Sequence, residues 1–260
     1  WESEGWIVRA RDTVSAKLAA RTLWLDCRKP LDGLVSRHLN RYVSLFISSR
    51  LASTPIKPNH ISIFTFSLGI LAGVLCAAGG YWNWAIAGLV FQINSIVDGC
   101  DGELARVRYE FSLTGEWLDT LSDDFSDVFF WAGLGWGAFA MDLSGPFGLP
   151  SWFWLAVGMA SVAGKAISMA LYYQWLIANK RGDLLAFTWS FDDEDTEDAS
   201  LVSKALKNLK YVTKKDFIVF AAMVMGFMGV LPYLLIAAAP GNIVVAVSVI
   251  LQKLANRREA

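Results

Sequence analysis

The chain has 260 residues, 55% of them hydrophobic and only 18% charged, with 12 Trp and a formal net charge of -1. Soluble domains carry roughly 25% charged residues and Trp gathers at membrane interfaces; composition therefore disfavours a soluble enzyme, and the charge balance gives no ground for a nucleic-acid partner. Cys27, Cys76 and Cys100 form no CxxC pair, so neither a disulfide framework nor a zinc site is indicated, only reduced structural thiols.

In chain order, residues 1–28 are mixed and basic (Arg9, Arg11, Lys17, Arg21, Arg28), with no cleavable signal peptide. They read as a cytoplasmic segment, and Trp1 in place of Met fits a chain cut from a longer polypeptide. Residues 29–57 place Leu34, Leu39, Val43, Leu45, Phe46 and Leu51 among Arg37, Arg41 and Arg50. That pattern predicts an amphipathic juxtamembrane helix on the anionic inner leaflet.

Six apolar stretches then follow, at 61–78, 82–97, 117–141, 152–178, 217–238 and 242–254. A bilayer core of about 30 Å takes roughly 20 helical residues. The expected fold is an all-α integral membrane domain over 58–258 with six transmembrane helices and an N-terminal interfacial helix. Turns are expected at Gly79-Gly80, Ser144-Gly145-Pro146 and Pro240-Gly241. The short loops at 79–81, 142–151 and 239–241 contain no Lys or Arg, whereas the basic residues outside the spans collect on the other side. The positive-inside rule then puts both ends at the cytoplasmic face of the cell membrane. The acidic run Asp192-Asp193-Glu194-Asp195 reads as a solvated loop.

The chemistry concentrates where the second span meets the third. Asp98 and Asp101 are spaced i, i+3; Asp119 and Asp123 are spaced i, i+4, so each pair shares a helix face. The connection is centred near Glu110, which brings Asp101 and Asp119 to equal depth on antiparallel helices. An Asp at a helix centre costs on the order of 2.5–3.5 kcal/mol on insertion scales, less near the interface. Hard divalent cations offset that cost and keep positions open for substrate phosphates. Pairing with Arg106 and Arg108 alone would leave two carboxylates in excess. Gly102, Ala105 and Gly115 are small where a ligand, or equally a neighbouring helix, approaches closely. Arg106 suits a bidentate grip on a pyrophosphate.

Together these residues read Asp-x2-Asp-Gly-x2-Ala-Arg-x8-Gly-x3-Asp-x3-Asp, which resembles the signature of the CDP-alcohol phosphotransferase family. The resemblance implies a six-helix membrane enzyme over residues 29–258. It implies two divalent ions, Mg²⁺ or Mn²⁺, on Asp98, Asp101, Asp119 and Asp123, with Asp123 also deprotonating the acceptor hydroxyl. Gly102, Ala105, Arg106, Ser112 and Gly115 would then surround the CDP moiety. The stretch Pro58-Asn59-His60-Ile61-Ser62 is similar to the family's Pro-Asn-x-x-Thr/Ser, which makes Asn59 and Ser62 nucleotide contacts or, equally, helix caps. Lys29-Pro30-Leu31-Asp32-Gly33, Asn40-Arg41 and Lys214-Lys215-Asp216 are similar to the di-myo-inositol phosphate phosphate synthase branch. That branch implies a CDP-inositol donor, an inositol phosphate acceptor and a fused or partner cytidylyltransferase domain; homodimers are common among such enzymes. Lys165, alone in mid-span, and Lys214 and Lys215, which could equally be membrane anchors, are the candidates for holding a phosphorylated acceptor. His38 and His60 have no ligand partner at usable spacing and read as structural. A lipid synthase using CDP-diacylglycerol and a divalent-cation transporter are the rival readings; a transporter has no use for Arg106.

Overall fold

The computed structural model describes residues 11–28, 32–182 and 214–259, so Lys29-Pro30-Leu31 and the acidic run at 192–195 lie outside the described residues. The described residues form helices: α1 (Thr13–Asp26), a π-helical turn (Ser36–Asn40) leading into α2 (Arg41–Leu51), α3 (Pro58–Ala78), α4 (Tyr81–Arg108), α5 (Leu113–Ala140), α6 (Trp152–Ala178), α7 (Lys215–Phe227) and α8 (Leu234–Glu259). Asp12 opens α1 with a capping box, its carboxylate accepting from Ser15 N–H at 2.7 Å. Burial pushes the Cys27 thiol at its end upward, as befits an inert structural cysteine.

Helix α3 is the keel of the bundle. It packs along both α4 and α5, while α6 packs on α5 and α8, and α7 packs on α4. The α3–α5 seam is made of small residues: a Cβ on Gly133 would run into the Gly73 carbonyl oxygen, and one on Gly137 into that of Cys76. Backbones approach this closely in membrane bundles through small-residue seams. Phe91 of α4 and Phe130 of α5 stack at 4.2 Å between centroids, joining these two helices deeper in the bundle. Around that stack lie Trp84, Trp131, Leu134, Trp154 and Leu235, all buried.

Among the described residues, three helical stretches, Pro58–Ala78, Trp152–Ala178 and Leu231–Leu251, are long and apolar enough to cross a membrane. Helices α4 and α5 have 28 residues each, about 42 Å at 1.5 Å per residue, but carry the acidic residues. The last turn differs from expectation. Pro240 lies inside α8, and the chain turns instead at Met228–Val230, where Gly229 takes φ +73. A proline in a helix forfeits one backbone hydrogen bond, which neighbouring helices in a membrane bundle can make good. Gly229 supplies a left-handed conformation that Pro-Gly was expected to supply. Helix α7 is accordingly only 13 residues long, and the expected breaks at 238 and 242 are withdrawn. The turn still carries no basic residue.

Helix α2 and the turn before it have their polar side inward. Asn40, Arg41, Ser44 and Ser48 are buried, whereas Leu39, Tyr42, Val43 and Phe46 are exposed. The buried side locks onto Glu103 of α4, which is wholly buried. Arg41 Nη1 and Ser44 Oγ donate to Glu103 Oε1 at 2.8 and 2.7 Å, and Ser48 Oγ donates to Oε2 at 2.7 Å. Asp32 takes the rest of the Arg41 fork at 2.8 and 2.9 Å. At the other end Asp216 of α7 accepts from Ser36 N–H at 2.7 Å, in space that the absent side chain of Gly33 leaves free.

Two outcomes follow from this packing. Gly133→Leu should force α3 from α5 and lower stability by about 1–3 kcal/mol, read as a lower Tm in detergent, whereas Gly241→Ala, with nothing within 4 Å of the added methyl, does not lower Tm. Glu103→Ala leaves Ser44, Ser48 and one arm of Arg41 without their acceptor, Arg41 remaining on Asp32, and should cost about 1–3 kcal/mol, with faster proteolysis between α2 and α3; protection equal to the parent chain would refute the lock.

Candidate active site

The carboxylates converge because α4 and α5 both lean on α3 and face each other near their connection. Ser112 caps α5, accepting from Gly115 N–H at 3.0 Å, so the helix starts at a fixed register before Asp119. On the other side Tyr109 closes α4 in the left-handed conformation, after Arg108. One carboxylate oxygen from each of Asp98, Asp101 and Asp119 lies within 4.8 Å of the others. Asp101 is buried, and Asp98 and Asp119 are half-buried. Magnesium and similar ions take oxygen ligands at about 2.0–2.1 Å, which puts opposed ligand oxygens about 4 Å apart. The set therefore fits a divalent ion after a small closure, and its all-oxygen chemistry fits Mg²⁺ or Mn²⁺ better than zinc.

Asp101 is oriented by two donors, Ser62 Oγ at 2.7 Å to Oδ2 and Gly102 N–H to Oδ1. Ser62 thus positions an acidic side chain. Asn59, at the start of α3, comes close to Gly115, where a Cβ would sit 2.9 Å from its Oδ1. Gly115 is small because Asn59 needs the room. A Cβ on Gly102 would meet Arg106 Nη2 at 3.3 Å. Arg106 donates through Nε to the Gly102 carbonyl at 2.9 Å and through Nη1 to the Cys27 carbonyl at 3.2 Å. Arg108 donates to carbonyls of the α2–α3 loop, those of Leu51, Ala52, Thr54 and Ile56. Both arginines thus bond backbone, and the structure records no ion pair from either to the four aspartates.

Asp123 lies one helical turn beyond Asp119 and outside the three-oxygen set. Its Oδ1 stands 3.0 Å from Lys215 Nζ. Lys215 also reaches Asp127 at 3.2 Å. Lys165 is not the lone cation that its position in the sequence implied: its ammonium lies 2.8 Å from Asp124 and 2.9 Å from Asp127. Those partners stand on α5, 41 and 38 residues earlier, so no local pattern announced them. Tyr172 and Tyr173 both donate to Asp124 Oδ2, the second at 2.7 Å. Lys214 is the N-cap residue of α7. Asp124 and Asp127 were missed, although Asp127 extends the i+4 row of Asp119 and Asp123. That row was a usable signal. A cavity of about 180 Å³ opens beside the acidic cluster, walled by α2, α4 and α7 and touched by both Asp98 and Asp123.

Comparison with known proteins agrees with this geometry. The profile of the CDP-alcohol phosphatidyltransferase family matches residues 56–254. A protein of Aquifex aeolicus named bifunctional IPC transferase and DIPP synthase is 31% identical over 208 residues, 80% of this chain and 41% of that protein. A Rubrobacter xylanophilus protein of the same name is 45% identical over 107 residues, 41% of this chain and 24% of its own length. An archaetidylinositol phosphate synthase of Pyrococcus horikoshii is 33% identical over 82 residues, 32% of this chain and 42% of that protein. The chain thus spans about two fifths of the Aquifex relative. With all eight signature residues in place on α4 and α5 and the profile running from the start of α3 into α8, this chain belongs to the CDP-alcohol phosphatidyltransferase family of membrane-embedded transferases.

Proposed function

We propose that the chain transfers a phospho-alcohol group from a CDP-alcohol to an acceptor hydroxyl and releases CMP, with CDP-inositol as donor and an inositol phosphate as acceptor. The observation that carries this reading is the convergence of Asp98, Asp101 and Asp119 within 4.8 Å, with Asp123 and Lys215 beside them. The names of the Aquifex and Rubrobacter relatives support the inositol substrates. Two Mg²⁺ or Mn²⁺ ions on Asp98, Asp101, Asp119 and Asp123 would supply charge neutralisation for the diphosphate and for the departing CMP.

The chain's own side chains do the rest. Arg106, beside Gly102, turns its fork from backbone carbonyls to the diphosphate, and Asn59, Ser112, Ala105 and Gly115 close around the nucleotide. Lys215, held at Asp123, and Lys165 and Lys214 draw in the acceptor's phosphate. Asp123 accepts the proton of the acceptor hydroxyl as its oxygen bonds to the phosphorus that carries the donor alcohol. The bond from that phosphorus to the CMP oxygen breaks, and CMP leaves with the electron pair. Orientation of both partners by fixed side chains supplies much of the rate.

The site opens on the cytoplasmic face of a six-span bundle, with α2 lying in the inner leaflet among membrane lipids, and the protein works as a homodimer. A cytidylyltransferase domain, fused or as a partner, supplies the CDP-alcohol. A lipid synthase using CDP-diacylglycerol and a phosphorylated polar alcohol is the second reading, favoured by the similarity to the Pyrococcus protein.

The test is CMP release by the purified protein in liposomes across a panel of donors and acceptors with Mg²⁺ or Mn²⁺. CMP formed from CDP-inositol and inositol phosphate supports the first reading, formation only from CDP-diacylglycerol transfers support to the second, and no CMP from any pair refutes both. Asp123→Asn should reduce kcat at least about 10³-fold, within the range of general-base contributions, while CDP-alcohol affinity stays within about threefold. A comparable loss of affinity would make Asp123 a metal ligand only.

A further inference from the structure

A continuous chain of ion pairs joins α5, α6 and α7 beside the acidic cluster, and the signature residues account for only its last member. Tyr172 and Tyr173 donate to Asp124 Oδ2. Lys165 then bridges Asp124 Oδ1 and Asp127 Oδ2 at 2.8 and 2.9 Å. Lys215 in turn bridges Asp127 Oδ1 and Asp123 Oδ1 at 3.2 and 3.0 Å. Among the described residues no donor is recorded at Asp123 Oδ2. Side-chain exposure rises from 4% at Asp124 through 12% at Asp127 to 36% at Asp123, so the chain leads from the bundle interior to the cavity that Asp123 and Lys215 line.

Charge balance does not call for Asp127. The chain holds three carboxylates and two ammonium groups; Asp124 alone would neutralise Lys165, and Asp123 alone would neutralise Lys215. A surplus carboxylate inside a membrane bundle is costly and marks a functional position by default. Nor is Asp127 a metal ligand: both its oxygens are occupied by ammonium groups, and it stands apart from the convergent Asp98, Asp101 and Asp119. What it adds is geometry, because it is the carboxylate that contacts both lysines.

We propose that Asp127 is a positioning residue for the acceptor side of the reaction: by holding Lys215 between itself and Asp123, it sets the direction of both the Lys215 ammonium and the Asp123 carboxylate. The proposal deepens the function above and rests on it. An ammonium group has three N–H bonds. With two committed to Asp127 and Asp123, Lys215 keeps the third, in a fixed direction, for an acceptor phosphate in the cavity that it lines. Asp123, gripped through Oδ1, keeps Oδ2 for the acceptor hydroxyl. Lys215 and Asp123 alone would swing together, because both lie at the partly exposed end of the chain. Asp127 is buried and tied on its other side to Lys165, itself held by Asp124, so it gives the pair a fixed point. A reacting group displaced by about 1 Å can lose on the order of 10²-fold in rate, so such a fixed point is worth a surplus buried charge.

The experiment is a double-mutant cycle in liposomes on the full chain, Asp127→Asn, Lys215→Met and the two combined, reading CMP release with CDP-inositol and inositol phosphate alongside Tm. Asp127→Asn leaves each lysine its own carboxylate and should fold. Its kcat should fall at least about tenfold and its KM for inositol phosphate should rise, while KM for CDP-inositol stays within about twofold. Added to Lys215→Met, it should lower kcat no further, because Asp127 acts through that ammonium. Should Asp127→Asn not fold, Asp127→Ala, which sets no amide donor against either lysine, takes its place with the same expectation. A lower Tm with kcat and both KM values unchanged makes Asp127 a packing residue and overturns the positioning role. Losses in kcat that multiply in the combined variant overturn it too, since Asp127 would then act apart from Lys215. Either result leaves the proposed reaction standing. Absence of CMP release by the parent chain, with CDP-diacylglycerol in place of CDP-inositol as well, overturns both.

Discussion

Everything at the centre of this molecule depends on holding acidic side chains together inside an apolar bundle. Asp98, Asp101 and Asp119 meet across α4 and α5, and Asp123, Asp124 and Asp127 continue along α5. Uncompensated, that density of negative charge would drive the two helices apart. The structure opposes it in two ways. Mechanically, α3 grips α5 through glycines and Phe91 stacks on Phe130, so the backbones cannot retreat. Electrostatically, Lys165 from α6 and Lys215 from α7 neutralise part of it at Asp123, Asp124 and Asp127, while Asp98, Asp101 and Asp119 converge on one point. The division is chemically useful: the cation-bound aspartates hold positive charge near the site, and the convergent ones keep oxygens directed at a common centre.

The second organising feature is the buried Glu103. A carboxylate with no solvent contact is tolerable only when both of its oxygens are hydrogen-bonded and its charge is paired. Arg41, Ser44 and Ser48 do this, and in doing so they fix α2 against α4, the helix that carries Asp98 and Asp101. Helix α2 therefore shows its apolar side outward, the reverse of a soluble amphipathic helix. Asp216 ties its start to α7 next to Lys215. One wall of the cavity, the acidic helix and the cationic helix are thereby held in a single hydrogen-bonded frame.

Much of this was legible in the residues themselves. Long apolar runs gave helices α3, α5 and α6 close to their bounds, because burial in a bilayer demands length and composition that no other class shares. The spacing of Asp98, Asp101, Asp119 and Asp123 gave two acidic faces and their common depth, because helical geometry is local. Local rules failed at Pro240, where a turn signal sits inside α8 and Gly229 carries the reversal instead. Helix-breaking strength depends on whether neighbours can satisfy the freed carbonyl, which the chain does not state locally.

What the sequence determined by itself, then, was the class of protein, the family signature and the acidic faces, since each rests on contacts within a few turns of one helix. Only the tertiary structure decided who answers whom: that Lys165 is held by Asp124 and Asp127, that Ser62 orients Asp101 and that Glu103 anchors α2. These pairings join residues tens of positions apart, and their partners are set by helix rotation and crossing, which emerge only when side chains of several helices pack at once.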